Sequence, residues 1–112
     1  MRPERDRVFV AEMIEAAEAA LEFAGGHTRE TFAGDRLVAF AVLRAIQLIG
    51  QAARCTSDET QSAHPDIPWR QMIGMRNVVV HDYADVDLGL VWKTVHDDLP
   101  ALTARLRRLL DT

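Results

Sequence analysis

Residues 35–53 read DRLVAFAVLRAIQLIGQAA. Val38, Val42, Ala45, Ile49 and Ala52 recur at alternating spacings of four and three, the period of one helix face. Leu37, Phe40, Leu43, Ile46 and Leu48 widen that stripe beyond what one neighbouring helix covers. The segment therefore reads as a central helix, or as one that also meets a partner chain. Asp35 is placed to cap it. Gly50 lies inside it at a cost of about 1 kcal/mol relative to alanine, which close approach of another helix would explain.

Working outward, Val10, Ile14, Ala17 and Leu21 give an earlier helix that starts near Pro3 and stops at Gly25-Gly26. Glu12, Glu15, Glu18 and Glu22 fall mostly on its other faces and read as a solvated surface. His27 to Gly34 reads as a short connection, and Thr56 to Ile67, polar and then bounded by proline, as a loop. Pro68 and Trp69 open a third helix with Ile73 and Val80, and Asp82 to Asp85 breaks it. Asp85 or Asp87 caps a fourth helix bearing Leu88, Val91, Trp92 and Val95. Asp97-Asp98-Leu99-Pro100 reads as the cap and first turn of a fifth, continued by Leu102, Leu106 and Leu109. Trp69 and Trp92 read as core anchors. Arg105, Arg107 and Arg108 sit near the C-terminus of the fifth helix, where cations suit the helix dipole. The expectation is an all-α, up-and-down bundle of about five helices, forming a single domain over residues 1–112.

The chain of 112 residues has 48 % hydrophobic and 27 % charged residues, as a globular domain does. At this size a single core gives modest stability, so burial against a second copy would help. A net charge of −4 argues against an extended nucleic-acid groove, though not against a small local cluster of arginines. Cys55 is the only cysteine, which suits a reducing compartment. The charged start MRPERDR is not followed by the apolar core of a signal peptide, and no stretch is expected to span a membrane. The expected location is the cytoplasm.

The chemistry gathers in residues 69–83, WRQMIGMRNVVVHDY. Arg76, Asn77, His81, Asp82 and Tyr83 straddle the apolar run Val78-Val79-Val80. Five residues of helix rotate by about 140°, so Arg76 and His81 do not share one stripe. They converge only if the helix ends between them or a second chain completes the site, and a symmetric dimer would bring two copies of each together. A histidine near its ordinary pKa of about 6.5 gives or takes a proton at neutral pH. An arginine is a permanent bidentate donor to phosphate oxygens. Together they suffice for RNA cleavage without a metal, the 2′-hydroxyl attacking phosphorus to leave a cyclic phosphate. Taken singly, each has a plainer role: a capping histidine, a solvated arginine, a half-buried tyrosine.

The spacing Arg76, four residues, His81, one residue, Tyr83 resembles the motif of the HepT-type branch of the HEPN superfamily. The flanks resemble it too: Ile67-Pro68-Trp69-Arg70 with Gly74-Met75-Arg76-Asn77 before it, and Val86-Asp87, Val91-Trp92 and Asp98-Leu99-Pro100 after it. Residues 45–53, AIQLIGQAA, resemble the family's second-helix signature, except that Gln51 stands where glutamate is frequent. Gln51 can neither act as a base nor carry charge. The resemblance runs from about residue 5 to residue 110. It implies a HEPN-like homodimer with its site at the interface, and a metal-independent endoribonuclease toxin of a type VII-like toxin–antitoxin pair that needs no cofactor. It implies RNA as substrate, transfer or messenger RNA being the candidates. It also implies an MntA-type minimal nucleotidyltransferase antitoxin that silences the toxin by adding AMP to Tyr83. Arg76 and His81 would be catalytic, with Asn77 and Asp82 supporting them.

Two other readings compete. One is a catalytically inactive module of the same fold that binds only its nucleotidyltransferase partner, favoured by Gln51 and the low basicity. The other is a metal-dependent phosphohydrolase built on His81-Asp82 with His64 and Asp85. Against it, His64 lies in a proline-flanked loop and no second ligand pair is evident.

Overall fold

A computed structural model describes residues 3–80 and 86–112, with side-chain surroundings for residues 4–75 and 86–112. Every described element is helical: α1 (Pro3–Ala24), α2 (Arg29–Gly34), α3 (Arg36–Cys55), α4 (Asp58–Ala63), α5 (Trp69–Val80), α6 (Leu88–Lys93) and α7 (Leu99–Leu110). A π turn, Thr94–Asp98, joins the last two.

The expected central helix is α3. It packs against α1 on one side and α5 on the other, while α1 also meets α7. Asp35 caps it, its carboxylate accepting from the Val38 N–H at 3.1 Å. Val42, Ala45, Ile49 and Ala52 are buried as the periodicity predicts, and so is Gly50. The core gathers these with Met13 and Ala17 of α1, Met72 of α5, and Leu99, Leu102 and Leu106 of α7. Among the described residues no buried side-chain nitrogen or oxygen lacks a hydrogen bond.

Three sequence expectations are corrected. The connection His27–Gly34 contains α2, because Thr28 and Thr31 form a reciprocal capping box, each backbone N–H donating to the other's hydroxyl at 2.8 and 3.1 Å. Phe32 then buries itself completely against Trp92. The loop after Thr56 contains α4, opened by Ser57, whose hydroxyl accepts from the Thr60 N–H. The fourth and fifth helices are not separated by a capped break. Asp98 is itself helical and makes no side-chain cap bond. Proline at position 100 would clash with the carbonyl four residues back in an α-helix. The chain accommodates it by widening by one residue just before, so that the Leu99 N–H bonds to the Thr94 carbonyl.

The expectation on membrane spans also needs adjusting. By length and composition α3 is apolar enough to cross a bilayer, but half of its apolar window is buried within the bundle, as in a core helix.

Candidate active site

The described residues before and after the expected site belong to α5, which ends at Val80, and to the segment that opens α6. The direction of α5 follows from its anchors. Gln61 of α4 donates to the Thr56 carbonyl at 2.9 Å, which keeps α4 at the C-terminal end of α3. His64 closes α4, and its carbonyl accepts from the Trp69 indole N–H at 3.0 Å. The first helical bond of α5 runs from the Met72 N–H to the Pro68 carbonyl. From this fixed start α5 runs back antiparallel to α3, with Met72 fully buried. Met75 reaches a small apolar hollow of about 50 Å³ beside Leu43 and Ile46.

Leu90 and Val91 of α6 line that same hollow. The hollow is thus lined by Met75 of α5 and by Leu90 and Val91 of α6. Asp87 caps α6, accepting from the Leu90 N–H at 3.1 Å. Arg76 and Asn77 follow Met75 on α5; their backbones are helical and their side chains lie outside the described residues. His81, Asp82 and Tyr83, with Asp85, also lie outside them.

One cation beside the start of α6 was not anticipated. Arg29 of α2 lays its guanidinium against Gly89 in the first turn of α6, where any Cβ would run into it. Reading residues 27–34 as a connection hid it; the Thr28–Thr31 capping signal would have revealed the helix that carries it.

Gln51 and His64 stand apart from the motif. Gln51 lines a groove between α1 and α3. It lies eight residues beyond Leu43, or about 12 Å along α3, away from the end where Met75 packs. His64 lies before α5, and the 12 residues of α5, about 18 Å of helix, separate it from the position that precedes His81. That separation opposes a metal site shared by His64 and the His81-Asp82 pair. Among the described residues no three His, Cys, Asp or Glu side chains are grouped to hold a metal.

At the pole opposite the end of α5, Asp6 is almost wholly buried, at 4 % exposure. Its carboxylate accepts from the Ser57 N–H at 3.1 Å, from the Ser57 hydroxyl at 2.6 Å and from the Thr60 hydroxyl. Burial alone would raise its pKa, but these hydrogen bonds outweigh burial and hold it below the ordinary aspartate value. Asp6 ties α1 to α4, and through α4 fixes the start of α5.

Comparison with known proteins agrees with the family resemblance. The family described as "Ribonuclease HepT-like" matches residues 13–109. "Probable ribonuclease HepT" of Thermococcus cleftensis is 37 % identical over 101 residues, covering 90 % of this chain and 92 % of the relative. "Putative RNase MJ1380" of Methanocaldococcus jannaschii is 31 % identical over 96 residues, 86 % of this chain and 88 % of that one. A third relative, "Putative RNase TTE0752" of Caldanaerobacter subterraneus, is 26 % identical over 93 % of each. No solved structure matches the chain.

Proposed function

The chain belongs to the HepT-like ribonuclease family of the HEPN superfamily, and from that premise we propose that it is a metal-independent endoribonuclease toxin of a type VII-like toxin–antitoxin pair. The observation that carries the proposal is the Arg76–His81–Tyr83 spacing within a chain that matches the family over residues 13–109. The protein is a single cytoplasmic domain that works as a homodimer, with the site assembled from both copies.

Arg76 clamps the nonbridging oxygens of the scissile phosphate and stabilises the charge that develops on them. His81 transfers protons. As a base it takes the proton of the 2′-hydroxyl while the 2′-oxygen bonds to phosphorus. The bond to the 5′-oxygen breaks, and that oxygen receives a proton from the second copy's imidazolium. A 2′,3′-cyclic phosphate and a 5′-hydroxyl remain. Asn77 and Asp82 orient these groups. Tyr83 is the regulatory acceptor: AMP transferred to it by an MntA-type nucleotidyltransferase adds negative charge and bulk two residues from His81, and repels an RNA phosphate. Arg29, which lies against Gly89 in the first turn of α6, adds a cation for the RNA backbone.

The test incubates purified protein with total and transfer RNA in excess chelator, after intact mass has shown Tyr83 to be unmodified. Wild type should cleave and leave cyclic-phosphate ends, and His81→Ala should be slower by about 10²–10⁴-fold. Absence of cleavage by the unmodified wild-type protein would refute the mechanism and leave the partner-binding module.

A further inference from the structure

Three rings of decreasing burial form a column from the core to the surface. Phe32 of α2 is fully buried. The Trp92 indole of α6 lies against it, tilted by 43° with ring centres 5.6 Å apart, and is half-buried. The His96 imidazole of the π turn stacks on Trp92, at 22° and 4.8 Å, and is exposed. The neighbouring Val95 and Leu99 are buried, so the turn packs one side on the core and leaves His96 on the other. Trp92 is thus more than the core anchor its sequence position suggests: it supports a flat ring at the surface. π turns set into helices are frequent at functional sites.

Packing alone would be served better by an aliphatic or phenyl side chain, which covers more of the indole than an imidazole does. Among the described residues neither ring nitrogen of His96 is hydrogen-bonded, so no polar contact explains the histidine either. A stacked imidazole suits another flat, polar-edged ring, and unpaired nucleobases stack on aromatic and histidine side chains. The charges nearby agree with a base at this point. Asp97 and Asp98, both exposed, follow His96 and would repel a phosphate placed beside it. Cations lie farther back along the same helix. The Arg29 guanidinium rests against Gly89, three residues before Trp92 and seven before His96, spacings that share one helix face. Exposed Lys93 follows Gly89 by about one turn. About 10 Å of helix separates Gly89 from His96, a span that a short single strand bridges.

We propose that His96, backed by Trp92 and Phe32, is a stacking platform for one unpaired base of the RNA, with Arg29 holding a phosphate of the same strand. The identity of the ligand rests on the ribonuclease reading, but the test reads binding and not cleavage.

A fluorescein-labelled 2′-O-methyl oligoadenylate of about ten nucleotides has no 2′-hydroxyl to attack phosphorus, so wild type can be titrated with it uncut. Fluorescence anisotropy in low-salt buffer should give a saturable curve. His96→Leu should raise Kd about tenfold, and His96→Phe, which keeps a ring, should stay within about threefold of wild type. An oligomer of the same backbone without bases should bind wild type and His96→Leu alike, within about twofold. Arg29→Gln should make the slope of log Kd against log salt shallower by about one, while His96→Leu leaves it unchanged. Circular dichroism on each variant checks that the helices remain. Absence of binding by wild type, an unchanged Kd in His96→Leu, an equal loss on the oligomers with and without bases, or an unchanged slope in Arg29→Gln would each overturn the proposal. Binding that follows the expected pattern in a protein that does not cleave RNA would sustain the platform and refute the catalytic mechanism alone.

Discussion

Asp6 shows how a single carboxylate ties together segments that are distant in sequence. It accepts from Ser57 and Thr60, more than fifty residues away in sequence, and so locks α1 to the segment that launches α5. Its depressed pKa has a definite sign. The group is more acidic in the folded chain than in the unfolded one, so its contribution to stability is fully present above the unfolded value, near 3.8, and is lost as pH falls through the folded value. Asp6→Asn should therefore lower unfolding free energy at pH 7 by about 1–3 kcal/mol, and the gap from wild type should narrow on acidification below about pH 4. Urea titrations from pH 7 to pH 3 read both effects. An equal deficit at every pH would show that the carboxylate's charge is not what Ser57 and Thr60 hold. At the same scale, Met72→Ala removes a fully buried side chain from the face by which α5 meets the core. It should cost about 2–5 kcal/mol, measured by the same titration.

At the scale of elements, the helices with a long apolar period were legible and the short or fused ones were not. Helix α3 could be read because its stripe repeats over five turns and Asp35 announces its start. Helices α2 and α4 each span six residues, too few for a period to be seen, and only their Thr28 and Ser57 caps mark them. The join of α6 to α7 was misread because Asp98 before Pro100 is the usual sign of a start; the π turn serves instead to pass the proline without breaking the helix. The motif could be read as Arg76, His81 and Tyr83 from spacing and flanks, whereas Arg29 could not, since only tertiary folding brings α2 against α6. Gly89 lets that contact form. Gly89→Ala would gain up to about 1 kcal/mol of helix propensity and push the tip of a flexible arginine aside. The expectation is a melting temperature within a few degrees of wild type, about 4 °C at most, with a reduced rate of RNA cleavage if Arg29 serves the substrate. Melting curves and initial rates on the one variant separate the two effects.

At the scale of the whole molecule, the net charge of −4 sets an upper limit on how RNA is held. Glutamates cover the outer face of α1, and one of them, Glu18, is paired with Arg107 of α7. The proposed binding through a few arginines predicts a weak salt dependence: log kcat/KM against log salt should fall with a slope of about −1 to −2. A series of rates in increasing potassium chloride gives that slope, and a value near −5 would indicate a long cationic track instead. The bundle's topology has another consequence. Asp6 and Arg7 share a cleft with Leu109 and Thr112, so the first turn of α1 and the end of α7 are neighbours, at the pole opposite the one where α5 ends. A short flexible peptide would suffice to join them, and new ends opened between α4 and α5 would yield a circular permutant with the same helices. Any passenger fused at either end would likewise hang from the base of the molecule, a full helix length from the end of α5.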